Sequence, residues 1–425
     1  MDQVSSGPTP GPRTALSLSW LHPRGLVGLS LVNTFLRIVT LGIYGFWAKT
    51  EVRKRLWSGV RLNGEPLVYT GTGKELFIGF LVVFLLFVLP SMLMMAGVSA
   101  AFGPESPAFG IVLALFYLAV FFLLGIAVYR ATRYRMSRTS WRGIRGSLVG
   151  SDMAYAWTSF WTGLLIPLTL GWIMPWRAVK LQKILTDDMR FGSAAFRFEG
   201  GSGPLYAAFA VFWIGLIAIF AGTALLVTGG FGLDLSALPQ LPGEGEEPTE
   251  EQAVAIAMLG LAIFAAFIVG SVGYAVLSAW YSAQQFNHFA RSTTLDGLRF
   301  EGQATGAGLI WIALSNFFIL AAFAIVAGLV VSAIVIGVTH LFVPFDQLEA
   351  DQATGLVGAL AQIGVIIGLA CFGVLLPVTQ ARSTRYLVER LAVSGELDGG
   401  AIAQGQDQGI GRGEGLAQAL DFDAI

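Results

Sequence analysis

Apolar residues in this chain do not alternate with polar ones. They come in long uninterrupted blocks separated by short polar connectors. Six uncharged blocks, approximately Leu76–Ala96, Phe109–Tyr129, Leu205–Thr228, Ala253–Ala279, Gly308–Gly337 and Gly355–Pro377, are long enough for a helix to cross a bilayer. Such a crossing takes about 20 residues for some 30 Å of hydrocarbon. The blocks fall into three pairs, each enclosing one loop. The loops carry Glu105 in the first; Asp234, Glu244, Glu246, Glu247, Glu250 and Glu251 in the second; and Asp346, Glu349 and Asp351 in the third. Lysine and arginine avoid these loops and gather in the connectors between the pairs, at residues 48–61, 130–145 and 177–197 and around Arg291, Arg299, Arg382, Arg385 and Arg390. Basic residues beside membrane helices mark the cytoplasmic face. The pattern therefore predicts cytoplasmic connectors and termini, with the acidic loops on the opposite side.

Two further apolar segments, about Leu26–Trp47 and Met153–Trp176, are each flanked on both sides by material of cytoplasmic character. A single crossing would place a strongly basic connector outside. Re-entry, in and out on one face, resolves this, with turns near Thr40-Leu41-Gly42 and Thr169-Leu170-Gly171, where glycine permits an unusual backbone. A plain eight-helix bundle that breaks the charge rule is the alternative. The expected fold is an all-α polytopic membrane protein: six transmembrane helices in three hairpins, plus two TLG-containing re-entrant or short membrane segments.

The two TLG segments also expose internal repeats. "TLGIYGFWAK" (40–49) aligns with "TLGWIMPWRA" (169–178), an offset of 169 − 40 = 129, and the same offset aligns "LVYTG" (67–71) with "FRFEG" (196–200). "LRFEG" (298–302) is a further copy of the short motif, an aromatic-x-Gly strand-like piece, and "TSWRGIR" (139–145) corresponds to "TTLDGLR" (293–299). These units divide the chain into a flexible cytoplasmic N-tail (1–25), a first membrane repeat (26–150), a second (151–300), a third membrane hairpin (301–395) and a flexible cytoplasmic C-tail (396–425). Duplicated membrane halves recur in transporters, whose sites use broken helices. The repeats here run in one orientation, so the argument for transport is a weak one.

Composition sharpens the class. Of 425 residues 55% are hydrophobic and only 12% charged, against about 25% charged in soluble domains. One cysteine, Cys371, allows no internal disulfide, and three scattered histidines form no metal-ligand set. The N-terminus lacks the basic start and apolar core of a cleavable signal peptide. No nucleophile–base constellation is evident, so neither enzymatic activity nor a cofactor is expected. "YTGTGKELF" (69–77) lacks phosphate-loop spacing and reads as a turn entering a helix.

The run Asn33-x-x-Leu36-x-x-x-Thr40-Leu41-Gly42-Ile43-Tyr44-x-x-Trp47, followed by Arg53 and "LNGEPLVYTGTGKELFIGF", resembles the YjgN-like family of uncharacterised bacterial inner-membrane proteins, over roughly residues 20–400. The second copy departs from it, with Ile173 at the tyrosine position and Thr162 at the asparagine position. The resemblance implies a bacterial inner-membrane location. It brings no reaction or substrate.

The candidate residues are few. Arg37 is the only charge between Leu26 and Trp47, and an arginine at membrane depth normally faces a cavity or partner. With Asn33 and Asn316 it forms the candidate set for a solute pathway or headgroup contact; snorkelling of Arg37 and interhelical bonding of the amides are the structural alternatives. Thr40, Gly42, Thr169 and Gly171 are the candidate turn residues. Arg53, Arg55, Arg133, Arg138, Arg382 and Arg385 are the candidate contacts to anionic lipid headgroups, since surface cations attract anionic lipid. The expected partner is the lipid bilayer, with a homo-oligomer compatible and nucleic acid excluded, because the basic stretches are short and juxtamembrane. Function reads as a transporter or channel for a small solute, with a membrane scaffold or lipid-interacting protein as the alternative.

Overall fold

The computed structural model describes residues 13–230, 249–342 and 374–398, with positions 355, 358, 362 and 402. Among them five helices are long and apolar enough to cross a membrane: Gly73–Phe102, Pro107–Ser137, Gly203–Thr228, Gln252–Arg291 and Gly306–Ile334. The sixth expected span, 355–377, and the second and third acidic loops fall largely outside the described residues. The helices leave large side chains such as Leu86, Phe220, Phe267 and Trp311 exposed. Contiguous apolar surface on this scale is solvated by lipid rather than water.

The backbone clusters into two units. One comprises residues 1–200, 289–303 and 315–425; the other comprises 201–288 and 304–314. In the second unit, α8 (Gly203–Leu225) and the greater part of α9 (Glu250–Arg291) pack through aromatic side chains: the Phe212 and Tyr281 rings lie 5.5 Å apart. Asn287 ties the end of α9 to the start of α10 (Gly306–Phe342), donating to the Ala304 carbonyl and accepting from its N–H, at 2.7 and 2.8 Å.

The first unit contains the two TLG segments, and both fold as helix–turn–helix. α1 (Leu26–Val39) and α2 (Gly45–Gly59) form one hairpin, α6 (Asp152–Leu168) and α7 (Met174–Asp188) the other. Each is shut at its base by one backbone bond, Leu21 N–H to Gly59 O at 2.8 Å and Val149 N–H to Asp188 O at 2.9 Å. Both ends of each hairpin therefore arrive at the same place.

That place is a set of short strands, and here the all-α expectation is corrected. β2 (Leu18–Trp20) pairs with β3 (Val60–Leu62), which pairs with β4 (Glu65–Pro66). β5 (Val68–Tyr69), β6 (Thr139–Trp141), β7 (Ile144–Leu148), β8 (Met189–Phe191), β9 (Ala194–Phe198), β10 (Thr293–Leu295), β11 (Leu298–Gly302) and β12 (Leu391–Ser394) form one antiparallel sheet in which each strand pairs with the next. β13 (Glu396–Asp398), just past a kink at Gly395, pairs with β1 (Arg13–Ala15), which precedes β2. The three ladders, of two, eight and three strands, follow one another through the chain where β1 runs on to β2, β4 to β5 and β12 to β13, and so make a circuit of strands. Residues 13–20 and 396–398, expected in flexible tails, are strands in it. Trp141, Leu295 and Leu298 are buried in its centre, packed by Leu16, Leu62, Phe191, Phe196, Phe300 and Val393.

Two-residue turns make the hairpins. Asn63-Gly64, Arg142-Gly143 and Asp296-Gly297 all have positive φ at both positions, the geometry whose twist matches that of paired strands. Arg142 also clasps Glu65 with two hydrogen bonds, at 2.8 and 3.0 Å. That bond holds the Glu65 carboxyl below its ordinary pKa.

α3 (Gly73–Val83), whose span α4 (Leu89–Phe102) continues, starts with a capping box: Thr72 accepts from the Glu75 N–H, and Glu75 accepts from the Thr72 N–H. "YTGTGKELF" is therefore a turn into a helix.

Candidate functional site

The turns of the two TLG hairpins have the same hydrogen bonds. In the first, the Gly42 N–H donates to Arg37 O at 2.7 Å and the Leu41 N–H to Ile38 O at 3.2 Å. In the second, the Gly171 N–H donates to Ile166 O at 2.8 Å and the Leu170 N–H to Pro167 O at 3.2 Å. These are the paired bonds that satisfy the last carbonyls of a helix when the following residue is left-handed. Leucine takes that left-handed position in both, with φ 49° at Leu41 and 48° at Leu170, and Gly42 and Gly171 follow at 91° and 86°. The threonine hydroxyls brace the turns. Thr40 Oγ1 donates to Leu36 O (2.7 Å) and accepts from the Tyr44 N–H (2.9 Å); Thr169 Oγ1 donates to Leu165 O (2.8 Å) and accepts from the Ile173 N–H (3.3 Å). The leucine at each tip is turned outward, 93% exposed at Leu41 and 71% at Leu170.

What the hairpins carry differs. On α1, Ser30, Asn33, Thr34 and Arg37 recur at helical spacing and share one face. That face walls a cavity of about 530 Å³. Lys49, Arg53 and Trp57 on α2 form the facing wall. Thr132 and Arg135 of α5 (Pro107–Ser137), and Gln380 and Thr384 of α11 (Leu376–Glu389), complete it. Four of these side chains are cationic, and among the described residues no carboxylate lines the space. Asn33 is 4% exposed; its amide nitrogen reaches Ala48 O only at 3.5 Å, and its Oδ1 has no hydrogen-bond partner among the described residues. Arg37 Nε is likewise buried without one. A buried polar atom left unpaired costs about 1–3 kcal/mol, so both are the kind of group a ligand satisfies. Ser30 Oγ donates to the Val374 carbonyl, fastening α1 to the turn that opens α11.

The cavity unites Arg37 and Asn33 with Arg53. The other candidates lie elsewhere. Asn316 donates to Thr379 O (3.4 Å) and Ser383 Oγ (3.3 Å), residues of α11 that do not line the cavity. Arg133 is held by the Leu148 and Gly150 carbonyls at 3.1 and 2.6 Å, Arg138 by Glu75 at 2.7 Å, Arg382 by Ser315 at 2.9 Å and Arg385 by Glu389 at 2.8 Å. Arg55 donates to the Arg24 carbonyl. These arginines thus have work inside the chain besides any at a lipid surface. Lys49, Thr132, Arg135, Gln380 and Thr384 were not among the expected site residues. The i, i+4 pairs Asn33/Arg37 and Lys49/Arg53 were the available signal, because each puts two polar groups on one face of an otherwise apolar hairpin.

No solved structure matches the chain. The chain is 31% identical over 142 residues to "Inner membrane protein YjgN" of Salmonella typhimurium, covering 33% of this chain and 32% of that one. It is 32% identical over 143 residues to the protein of the same name in Escherichia coli K12, covering 34% and 33%. The alignments thus span about a third of the length of these curated relatives. Residues 23–419 match the family described as "Bacterial protein of unknown function (DUF898)". The apolar spans, the YjgN relatives and the match over most of its length make this chain a multi-pass membrane protein that belongs to the DUF898 family.

Proposed function

We propose that the protein is a non-enzymatic component of the bacterial inner membrane that admits a small solute into the cavity between α1, α2, α5 and α11, as transporters and channels do. The observation that carries this reading is a cavity lined by four cationic side chains, to whose walls Asn33 and Arg37 also bring two buried, unpaired atoms, Asn33 Oδ1 and Arg37 Nε. In this reading the strand circuit and both termini lie on the cytoplasmic side, in keeping with the basic connectors. The TLG hairpins then re-enter the membrane from that side, with Leu41 and Leu170 at their deepest points. Backbone polar groups at such depth must be bonded within the chain, and the N–H groups of both turns are. A lipid-interacting scaffold is the second reading. It is favoured by the apolar lining residues Val52, Leu56 and Met136 beside the cations, which suit a headgroup with its chains attached.

Cysteine accessibility tests the proposal. With Cys371 replaced by serine, Asn33→Cys and Arg37→Cys are expected to react with a small membrane-impermeant thiol reagent. Thr162→Cys, 129 residues on from Asn33 and 0% exposed, is expected to stay silent. Reaction in both right-side-out and inverted vesicles supports a pathway. Reaction from the cytoplasmic face alone supports the scaffold reading. Silence at both 33 and 37 from either face sinks the proposal.

A further inference from the structure

The cavity's lining specifies its occupant more closely than "small solute". Its cations come from three helices: Arg37 from α1, Lys49 and Arg53 from α2, Arg135 from α5. Cations set on three helices around one space suit a tetrahedral oxyanion, whose oxygens point to different walls. A carboxylate offers two oxygens in one plane and is met by a single planar fork. The space is also too large for a bare ion. About 530 Å³ lies within the range of small-molecule sites, roughly 300–1,000 Å³, whereas a water takes about 30 Å³. Val52, Leu56, Met136 and Leu376 add apolar lining between the cations. Asn33 adds a different requirement. Its unpaired Oδ1 is an acceptor, and none of the surrounding guanidinium or ammonium groups has been drawn onto it. It calls for a donor from the occupant, such as a hydroxyl.

We infer that the cavity binds a phosphate ester of a hydroxyl-bearing carbon skeleton, with the phosphoryl group held by Arg37, Lys49, Arg53 and Arg135 and a hydroxyl donating to Asn33. The inference rests on the solute-cavity reading above and deepens it. Two sources present this chemistry: a free polyol phosphate, and the headgroup of an anionic phospholipid such as phosphatidylglycerol. In the second case the acyl chains leave past the apolar lining residues.

The experiment uses the full chain purified in neutral detergent. Titration calorimetry with inorganic phosphate, sn-glycerol 3-phosphate and glycerol makes the soluble arm. Native mass spectrometry with phosphatidylglycerol against phosphatidylcholine makes the lipid arm. Binding of glycerol 3-phosphate more tightly than inorganic phosphate, with glycerol inert, identifies a free ester; retention of phosphatidylglycerol alone identifies the lipid. In either arm Arg37→Gln weakens binding by at least about tenfold, the usual loss for one charged hydrogen bond. Asn33→Leu erases the advantage of glycerol 3-phosphate over inorganic phosphate, or in the lipid arm weakens the retention of phosphatidylglycerol. Arg385→Gln, outside the cavity, changes neither. If Arg37→Gln does not yield folded protein, Arg53→Gln gives the same readout. The inference is overturned if no phosphate-bearing probe binds, or if Arg385→Gln weakens binding as much as the cavity variants do. Reactive cysteines at 33 and 37 with no such binding would leave the cavity reading standing and remove only the ligand class.

Discussion

The two TLG hairpins have the same turn and opposite uses. Both place leucine in the left-handed position, both brace the turn with a threonine hydroxyl, and both close at the base with one backbone bond. In the first, α1 turns a polar stripe toward a cavity. In the second, the positions of Asn33 and Arg37 are taken by Thr162 and Ile166. The Thr162 hydroxyl is spent within its own helix, donating to Thr158 O at 2.6 Å. The second hairpin has its arginine on the other arm: Arg177 of α7 donates to Ser159 Oγ of α6 at 2.9 Å, with its Nε buried and unpaired. α6 also packs tightly on α5, where a side chain added at Gly125 would come within 2.7 Å of the Ala156 Cα. The turn is thus a reusable backbone device. Whether it makes a site depends on which residues line the helix faces leading into it.

Three pairs of substitutions test that comparison. The largest effect is expected at the tips. Leu41→Asp and Leu170→Asp put a carboxylate at what we take to be bilayer depth, costing about 2.5–3.5 kcal/mol each. Both should cut the yield of membrane-integrated protein, measured in washed membranes. Normal yield from either would separate the two hairpins in depth. The second test contrasts packing. Gly125→Val forces α5 and α6 apart, at about 1–3 kcal/mol, and should lower the unfolding midpoint in detergent. Gly28→Ala, on α1 with nothing within 4 Å of the added carbon, should leave it unchanged or raise it slightly. A drop at Gly28 would mean that α1 is packed as closely as α6. The smallest effect probes what the hairpins share. Thr40→Val and Thr169→Val each remove one hydroxyl that both donates and accepts, a loss of about 1 kcal/mol. The two midpoint shifts should match, and clearly unequal shifts would show that the turns are not equivalent.

The turns were legible because their signal is local: a threonine and a glycine two residues apart, ending an apolar run. Arg37 and Asn33 were legible as misplaced polarity. Their company was not, because Arg135 lies 98 positions beyond Arg37 in sequence (135 − 37) and α11 lies farther still. Nothing in a single sequence brings these helices together. Of the strands only the aromatic-x-Gly pieces at 67–71, 196–200 and 298–302 were legible, and the rest were missed for another reason. Asn63-Gly64 and Asp296-Gly297 are recognisable turn dipeptides, but they join strands of only two to five residues. Hairpins so short are marginal alone, and each gains its stability from the neighbours on either side.

That mutual dependence has a consequence for biosynthesis. The circuit is completed by β13 bonding to β1, residues 396–398 to residues 13–15, and by β12 bonding to β11. A ribosome therefore releases the closing strands only after the described membrane-spanning helices have been made. Until then the nascent chain shows open ladder edges at β1 and β11, ready to pair wrongly or to be seized by quality control. Ring closure reports that translation has run through residue 398, so a chain stopped short of that point announces itself by an edge that never finds its mate.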